Sequence, residues 1–257
     1  MAEIRVTKDG FVATVTLSQP AKLNAINVAM WQALARTFDA LSLDDELRCV
    51  IVCGEGGNFA AGADIQEFAT VRSTLAQGIR YHTETISSAL QAIATCLHPT
   101  IAAIEGACVG GGLEIACACD LRIASRTARF GIPINRLGFP LAPDELNHLL
   151  QLVGKATALE MLLEGRVFDA AEAMDKGLIN HIVADVPAEA RRSAQRIAAG
   201  APLAARANKQ LVRRLSGNPD ALNAQEIEAA FSFLATQDYR EGVQAFLAKR
   251  TPVFLGK

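Results

Sequence analysis

Two short runs, CVIVCG from Cys49 to Gly54 and TIAAIEG from Thr100 to Gly106, set the tightest limit on what this chain can fold into. Neither alternates polar with apolar residues, so neither suits a strand with one face in water. Each reads as a strand buried on both faces, the pattern of a parallel sheet covered by helices. Ahead of them, Ile4–Val6 and Phe11–Leu17 do alternate and are rich in β-branched residues, and Lys8-Asp9-Gly10 between them reads as a hairpin turn. Met30–Leu41 has helical periodicity, Thr74–Leu97 reads as one long amphipathic helix, Leu113–Cys119 as helix and Asp120–Ala124 as a third buried strand.

Beyond that point the pattern turns helical. Leu146–Leu152, Ala156–Leu163, Ala170–Lys176, Ala188–Ala199, Leu203–Arg214, Asn223–Ala235 and Arg240–Ala248 all read as helix, separated by Gly154, Gly165, Gly177, Gly200, Pro202 and Gly217. The expectation is an α/β core over residues 1–195 with a helical extension over 196–257, joined without a low-complexity linker. At 257 residues and 51% hydrophobic composition the chain can bury a sizeable core.

Several function classes drop out. A net charge of −2 gives no electrostatic case for nucleic acid, and the basic run Arg191, Arg192, Arg196, Arg206, Lys209, Arg213 and Arg214 reads as a solvated helix face. No apolar stretch approaches the ~20 residues of a membrane span, and MAEIRVTKDG lacks the pattern of a signal peptide, so a cytoplasmic location is expected. The six cysteines make no CxxC pair, and with four scattered histidines they predict buried thiols and no metal site. Gly106-x-x-x-Gly110-Gly111-Gly112 does not fit a dinucleotide fingerprint, Gly154-Lys155-Ala156 lacks the hydroxyl of a P-loop, and His98 and His148 read as structural.

What remains is EGACVGGGLEIACACD, Glu105 to Asp120, where three glycines and a carboxylate interrupt an apolar stretch. Glycines at a strand-to-helix junction let the backbone approach a ligand, and the helix start aims free N–H groups at it. They also allow tight packing, and the residues alone leave both readings open. A second small-residue loop, Ala60-Ala61-Gly62-Ala63-Asp64, follows the first buried strand and would converge on the same end of the sheet. Two N–H groups placed there would stabilise an oxyanion formed from a carbonyl. Glu114, flanked by Leu113, Ile115, Ala116 and Cys117, is expected to be partly desolvated, which suits a general acid or base.

Five segments in order, PAKLNAIN, NFAAGADIQEF, GACVGGGLEIACACDLRIAS, ARFGIPINRLG and REGVQAFLAKRTPVFLGK, make the chain similar to the crotonase family of enoyl-CoA hydratases and isomerases over nearly its full length. The resemblance implies a superhelix of ββα units with C-terminal helices that build a homotrimer or a dimer of trimers. It implies an acyl-CoA thioester as ligand, with coenzyme A arriving as part of the substrate and no further cofactor. By motif position, the thioester carbonyl would lie between the N–H groups of Ala63 and Gly111, beside Gly110 and Ala61. Lys22, Ala25, Asp64 and Ile65 fall where the family lines its CoA pocket. Phe246 and Lys249 fall where a C-terminal helix, often a neighbour's, closes over the CoA.

One departure matters. Family hydratases place a second glutamate in an F-G-x-P-E segment, and here that segment reads Phe130-Gly131-Ile132-Pro133-Ile134. Isoleucine transfers no proton. Downstream, where relatives carry P-G-A-G-G-T, this chain has Leu141-Ala142-Pro143-Asp144-Glu145-Leu146, so the acyl pocket gains Ile134 and Leu141. Asp144 and Glu145 are candidate replacement acids, although Pro-Asp-Glu is a good first turn and helix capping is the favoured reading of both. Three activities stay open: a hydratase or dehydratase of the lyase type relying on Glu114, an isomerase using Glu114 as its single base, and a non-catalytic acyl-CoA binder.

Overall fold

The computed structural model describes residues 2–217 and 220–257. The hairpin forms as expected, with β1 (Glu3–Asp9) antiparallel to β2 (Val12–Ser18) across Gly10. Helix α1 (Val28–Ser42) follows, its first turn capped by the Asn27 side chain, which accepts from the Met30 amide at 2.8 Å. Then come β3 (Cys49–Gly54), α2 (Phe68–Val71), α3 (Leu75–Arg80), α4 (Ser87–Thr95), β4 (Thr100–Ile104), β5 (Ala107–Val109), α5 (Gly111–Ala118), β6 (Leu121–Ser125), β7 (Arg129–Gly131) and α6 (Pro143–Glu164). The remainder is β8 (Phe168–Asp169), α7 (Ala170–Asp175), β9 (His181–Val183), α8 (Val186–Ala198), α9 (Pro202–Gly217), α10 (Ala224–Phe231) and α11 (Gln237–Leu247).

Six strands form the main sheet in the order β1-β2-β3-β4-β6-β9, parallel from β2 onward. Its two apolar strands are covered on both faces, as their lack of alternation requires. Val50, Val52, Ala102 and Ile104 pack toward α1 and α4, whose Trp31, Leu34, Phe38 and Ile93 are fully buried. Cys49, Ile51, Ile101 and Ala103 point the other way, onto Val186, Ala190 and Ala194 of α8. A second sheet, β5-β7-β8, stands apart from the first.

The differences from the sequence reading have local causes. Thr100–Gly106 is not one strand, because the chain turns at Gly106 (φ +51°) and re-pairs as β5 in the second sheet. Thr74–Leu97 is helical but interrupted: residues Tyr81–Ile86 form a π-helical turn between α3 and α4. Leu146–Leu152 and Ala156–Leu163 join into α6, broken at Gly154 (φ +72°). Asn223–Ala235 leaves the α-helix after Phe231 and ends in a 3-10 turn. The basic run is solvated as expected at Arg191, Arg192, Arg196 and Arg213, with Arg192 and Arg196 pairing with Glu189 at the surface, and Arg214 pairs with Glu226. Lys209 reaches the core, pairing with Asp120 at 2.8 Å and donating to the His98 carbonyl at 2.9 Å, which fixes α9 against the sheet.

Candidate active site

The two small-residue loops are drawn together by strand-like pairing. Ala60 bridges Cys108, with the Ala60 amide donating to Ala107 at 2.8 Å and the Val109 amide donating to Ala60 at 3.0 Å. Ala63 bridges Ile26 in parallel register, through Ile26 N–H to Gly62 and Asp64 N–H to Ile26. In that register the Ala63 amide points away from Ile26. Gly111 opens α5, so its amide has no acceptor one turn back. Neither the Ala63 nor the Gly111 amide donates a hydrogen bond among the described residues, and both line one cavity of about 110 Å³. Glycine is required at two points here. Gly110 sits at φ +51°, and a methyl on Gly112 would lie 2.3 Å from the Ala60 carbonyl oxygen.

Glu114 stands one turn into α5 and is only 6% exposed. Burial, and then the charge of Glu145, push its carboxyl well above the usual carboxylate range. Glu145 lines the same cavity and is 3% exposed. Its Oε1 is 2.7 Å from Nδ1 of His82, while Oε2 makes a long 3.4 Å contact with the Ala142 amide at the start of α6. The capping reading therefore holds weakly for Glu145, which also presents a carboxyl to the cavity. Asp144 sits exposed in the same first turn and accepts from the Ser87 hydroxyl at 2.7 Å rather than from a helix-start amide.

Of the residues singled out from the sequence, Ala61, Ala63, Ile65, Gly110, Gly111, Glu114, Ile134 and Leu141 line this cavity. Lys22, Ala25 and Asp64 do not. They sit on the adjoining loop edge, where Lys22 pairs with Asp64 and donates to Gln66 at 2.7 Å. The Lys22 hydrogen bond lowers the Asp64 pKa. Phe246 and Lys249 are not brought there either. Phe246 lines a separate apolar groove with Leu203, Phe233 and Val243, and Lys249 is exposed just beyond α11. The cysteines behave as expected: all six are free, five are buried, and burial raises the Cys117 and Cys119 thiols to about 12. Among the described residues there is no cluster of metal-binding side chains and no helix long and apolar enough to cross a membrane.

A sequence profile described as enoyl-CoA hydratase/isomerase matches residues 7–257. The chain belongs to the enoyl-CoA hydratase/isomerase family. A 2,3-dehydroadipyl-CoA hydratase of Escherichia coli is 35% identical over the full length of both chains. Among solved structures, an enoyl-CoA hydratase/carnithine racemase from Magnetospirillum magneticum is 45% identical and superposes with a TM-score of 0.96, covering 100% of this chain and 97% of that one. An enoyl-CoA hydratase from Bacillus anthracis is 29% identical with a TM-score of 0.88, covering 99% of each chain. The mixed α/β architecture with its parallel sheet is thus the crotonase fold.

Within that family frame, several cavity residues went unread in the sequence. Trp31, Phe68, Arg72, Tyr81, His82 and Phe139 all face the site. Arg72 stacks between the Phe68 and Phe139 rings, 4.4 and 4.1 Å from their centroids, and braces the outer wall. Tyr81 is buried, and burial together with the charges of Glu114, Glu67 and Glu145 raises its hydroxyl pKa. No local signal marked Tyr81 and His82, which lie within the polar run Arg80-Tyr81-His82-Thr83-Glu84-Thr85 of an amphipathic pattern.

Proposed function

We propose that the protein is an enoyl-CoA hydratase, a lyase that adds water across the double bond of a 2-enoyl-CoA. One observation carries the reading: two unengaged amides, of Ala63 and Gly111, and a buried carboxyl, Glu114, face the same largely apolar cavity. The thioester oxygen would accept from both amides. As water attacks Cβ, negative charge moves onto that oxygen, and each donor contributes about 2.7–4 kcal/mol of transition-state stabilisation. Glu114 would supply the proton that Cα receives.

The cavity holds the reacting end of the acyl chain. Ile134, Leu141 and Phe68 make it suited to a hydrocarbon or alicyclic acyl group. The rest of the thioester would leave past Ile65, with Lys22, Ala25 and Asp64 at the mouth and no other cofactor. Phe246 is 84% exposed and Leu247 75%, which supports an assembly in which Phe246 and Lys249 close a neighbour's CoA site, as a trimer or a dimer of trimers. The test is turnover of a series of 2-enoyl-CoA esters by the protein and by Glu114→Ala. Hydration that falls about 10²- to 10⁴-fold in the variant supports the reading. Equal turnover in both removes Glu114 from the mechanism, and a shifted double bond in place of a 3-hydroxyacyl product makes the enzyme an isomerase.

A further inference from the structure

We propose that Glu145, held by His82, is the second proton-transferring carboxyl of this site, supplied from α6 in place of the acid missing at Ile134. The inference rests on the hydratase reading above and deepens it. Four observations converge. Glu145 lines the cavity that holds Glu114 and the two free amides. It is 3% exposed, and an acid so buried needs a partner; Nδ1 of His82, 2.7 Å away, is that partner. Its charge is felt by Glu114. Finally, His82 is carried on the π-helical turn Tyr81–Ile86, an irregularity that costs helix regularity and turns Tyr81 and His82 toward the site.

The roles follow from the environments. Glu114, buried one turn into α5, is assigned the proton that Cα takes, and Glu145, with Oε1 2.7 Å from Nδ1 of His82, is assigned the proton that water gives up. A water oxygen bonds to Cβ while one of its protons passes to Glu145. Cα takes the proton of Glu114. The carbon–carbon π bond is consumed, one C–O and one C–H bond form, and Glu114 is left ionised with Glu145 protonated. Resetting needs a proton off Glu145 and one back onto Glu114. His82 lines the cavity on one side and, on the other, an open groove with Ile79, Thr83 and Asp144, and it holds the Glu145 carboxyl in place throughout. Glu145 gives its proton to water as product leaves. Glu114 recovers its proton from water as product leaves. The titratable and charged groups that face the pair are Glu114, Tyr81, Arg72 and Asp144.

His82 acts through Glu145 and is a positioning residue, so its test must separate chemistry from folding. But-2-enoyl-CoA hydration would be measured for the full-length protein and for Glu145→Gln, His82→Ala, His82→Asn and Asp144→Asn. Binding of butanoyl-CoA and the unfolding midpoint would be recorded beside it. For Glu145→Gln, kcat is expected to fall about 10²- to 10⁴-fold while KM and butanoyl-CoA affinity stay within about threefold. His82→Ala loses up to about 10²-fold through misplacement of Glu145. His82→Asn, which keeps a donor near Nδ1, recovers most of that loss, and Asp144→Asn matches the parent. Glu145→Gln turning over as fast as the parent overturns the proposal. So do losses of kcat that follow the unfolding midpoint alone, with no rescue by His82→Asn. A parent protein that hydrates no enoyl-CoA ester refutes the hydratase reading and this proposal together; a parent that hydrates, with an equally fast Glu145→Gln, refutes this proposal only.

Discussion

Gly112→Ala isolates what the glycine triad does. The added methyl would stand 2.3 Å from the Ala60 carbonyl oxygen and 2.9 Å from the Ala60 carbonyl carbon and Cβ. None of these atoms is the free end of a flexible side chain, so the loop itself must move. The Ala60 oxygen accepts from the Val109 amide at 3.0 Å, and that bond stretches or breaks as the loop retreats. Overpacking of this kind costs about 1–3 kcal/mol, and a lost hydrogen bond about 1 kcal/mol more. For a chain of this size, a sum of about 2–4 kcal/mol lowers the unfolding midpoint by roughly 5–15 °C. The activity should suffer more than the fold. Ala63, whose amide is proposed above as an oxyanion donor, lies three residues beyond Ala60, and a displacement of about 1 Å there would cost on the order of 10²-fold in rate. Gly78→Ala is the control. It lies within α3 with nothing within 4 Å of an added methyl, and the substitution should leave activity alone and stabilise by about 0.5–1 kcal/mol. Thermal unfolding with but-2-enoyl-CoA kinetics checks both. A Gly112→Ala protein with an unchanged midpoint and unchanged kcat would refute the close-approach argument.

Two further predictions concern charge and the loop at the mouth. Because the folded pKa of Glu114 is raised above its unfolded value, its contribution to stability is fully present below the unfolded pKa near 4.5 and is lost as pH rises toward the folded pKa. Glu114→Gln should therefore match the parent near pH 4 and become the more stable protein as pH rises to 8, as urea unfolding at a series of pH values would record; a constant difference across that range contradicts the burial argument. Asn24 is fully buried in a left-handed conformation (φ +57°), accepts from the Gln19 amide and donates to the carbonyls of Glu55 and Asn58. Asn24→Ala should cost about 2–4 kcal/mol by urea denaturation and raise KM for CoA esters more than it lowers kcat; a cost below about 0.5 kcal/mol would show that Asn24 does not hold this loop.

The parts of the site that are local in sequence were legible. The two apolar strands announced a covered parallel sheet because a two-sided burial leaves no alternation. The glycine triad and Glu114 stood out because each is costly where it stands, and Ile134 stood out as an isoleucine where the resemblance implies an acid. Glu145 was not legible in the same way. Pro143-Asp144-Glu145 has the form of an ordinary first turn, and which of its two acids faces inward depends on His82, 63 residues earlier. The π turn that presents His82 has no periodicity signal, since a single inserted residue leaves the amphipathic pattern on either side intact. Strands β5, β7 and β8 are two or three residues long, too short for alternation to register. Lys209 reads as one more cation on a polar face, yet its chain runs inward to Asp120, a contact set by how α9 lies on the sheet.

Hydration at this site requires that the cavity polarise an enoyl thioester for attack by water. The most direct measurement is incubation with 2-enoyl-CoA esters in ¹⁸O-labelled water, followed by mass spectrometry of the acyl product. The account predicts a 3-hydroxyacyl-CoA carrying one ¹⁸O on Cβ, formed by the parent and strongly reduced in Glu114→Ala. A product with a displaced double bond and no label, or an unchanged ester bound without turnover, would contradict it.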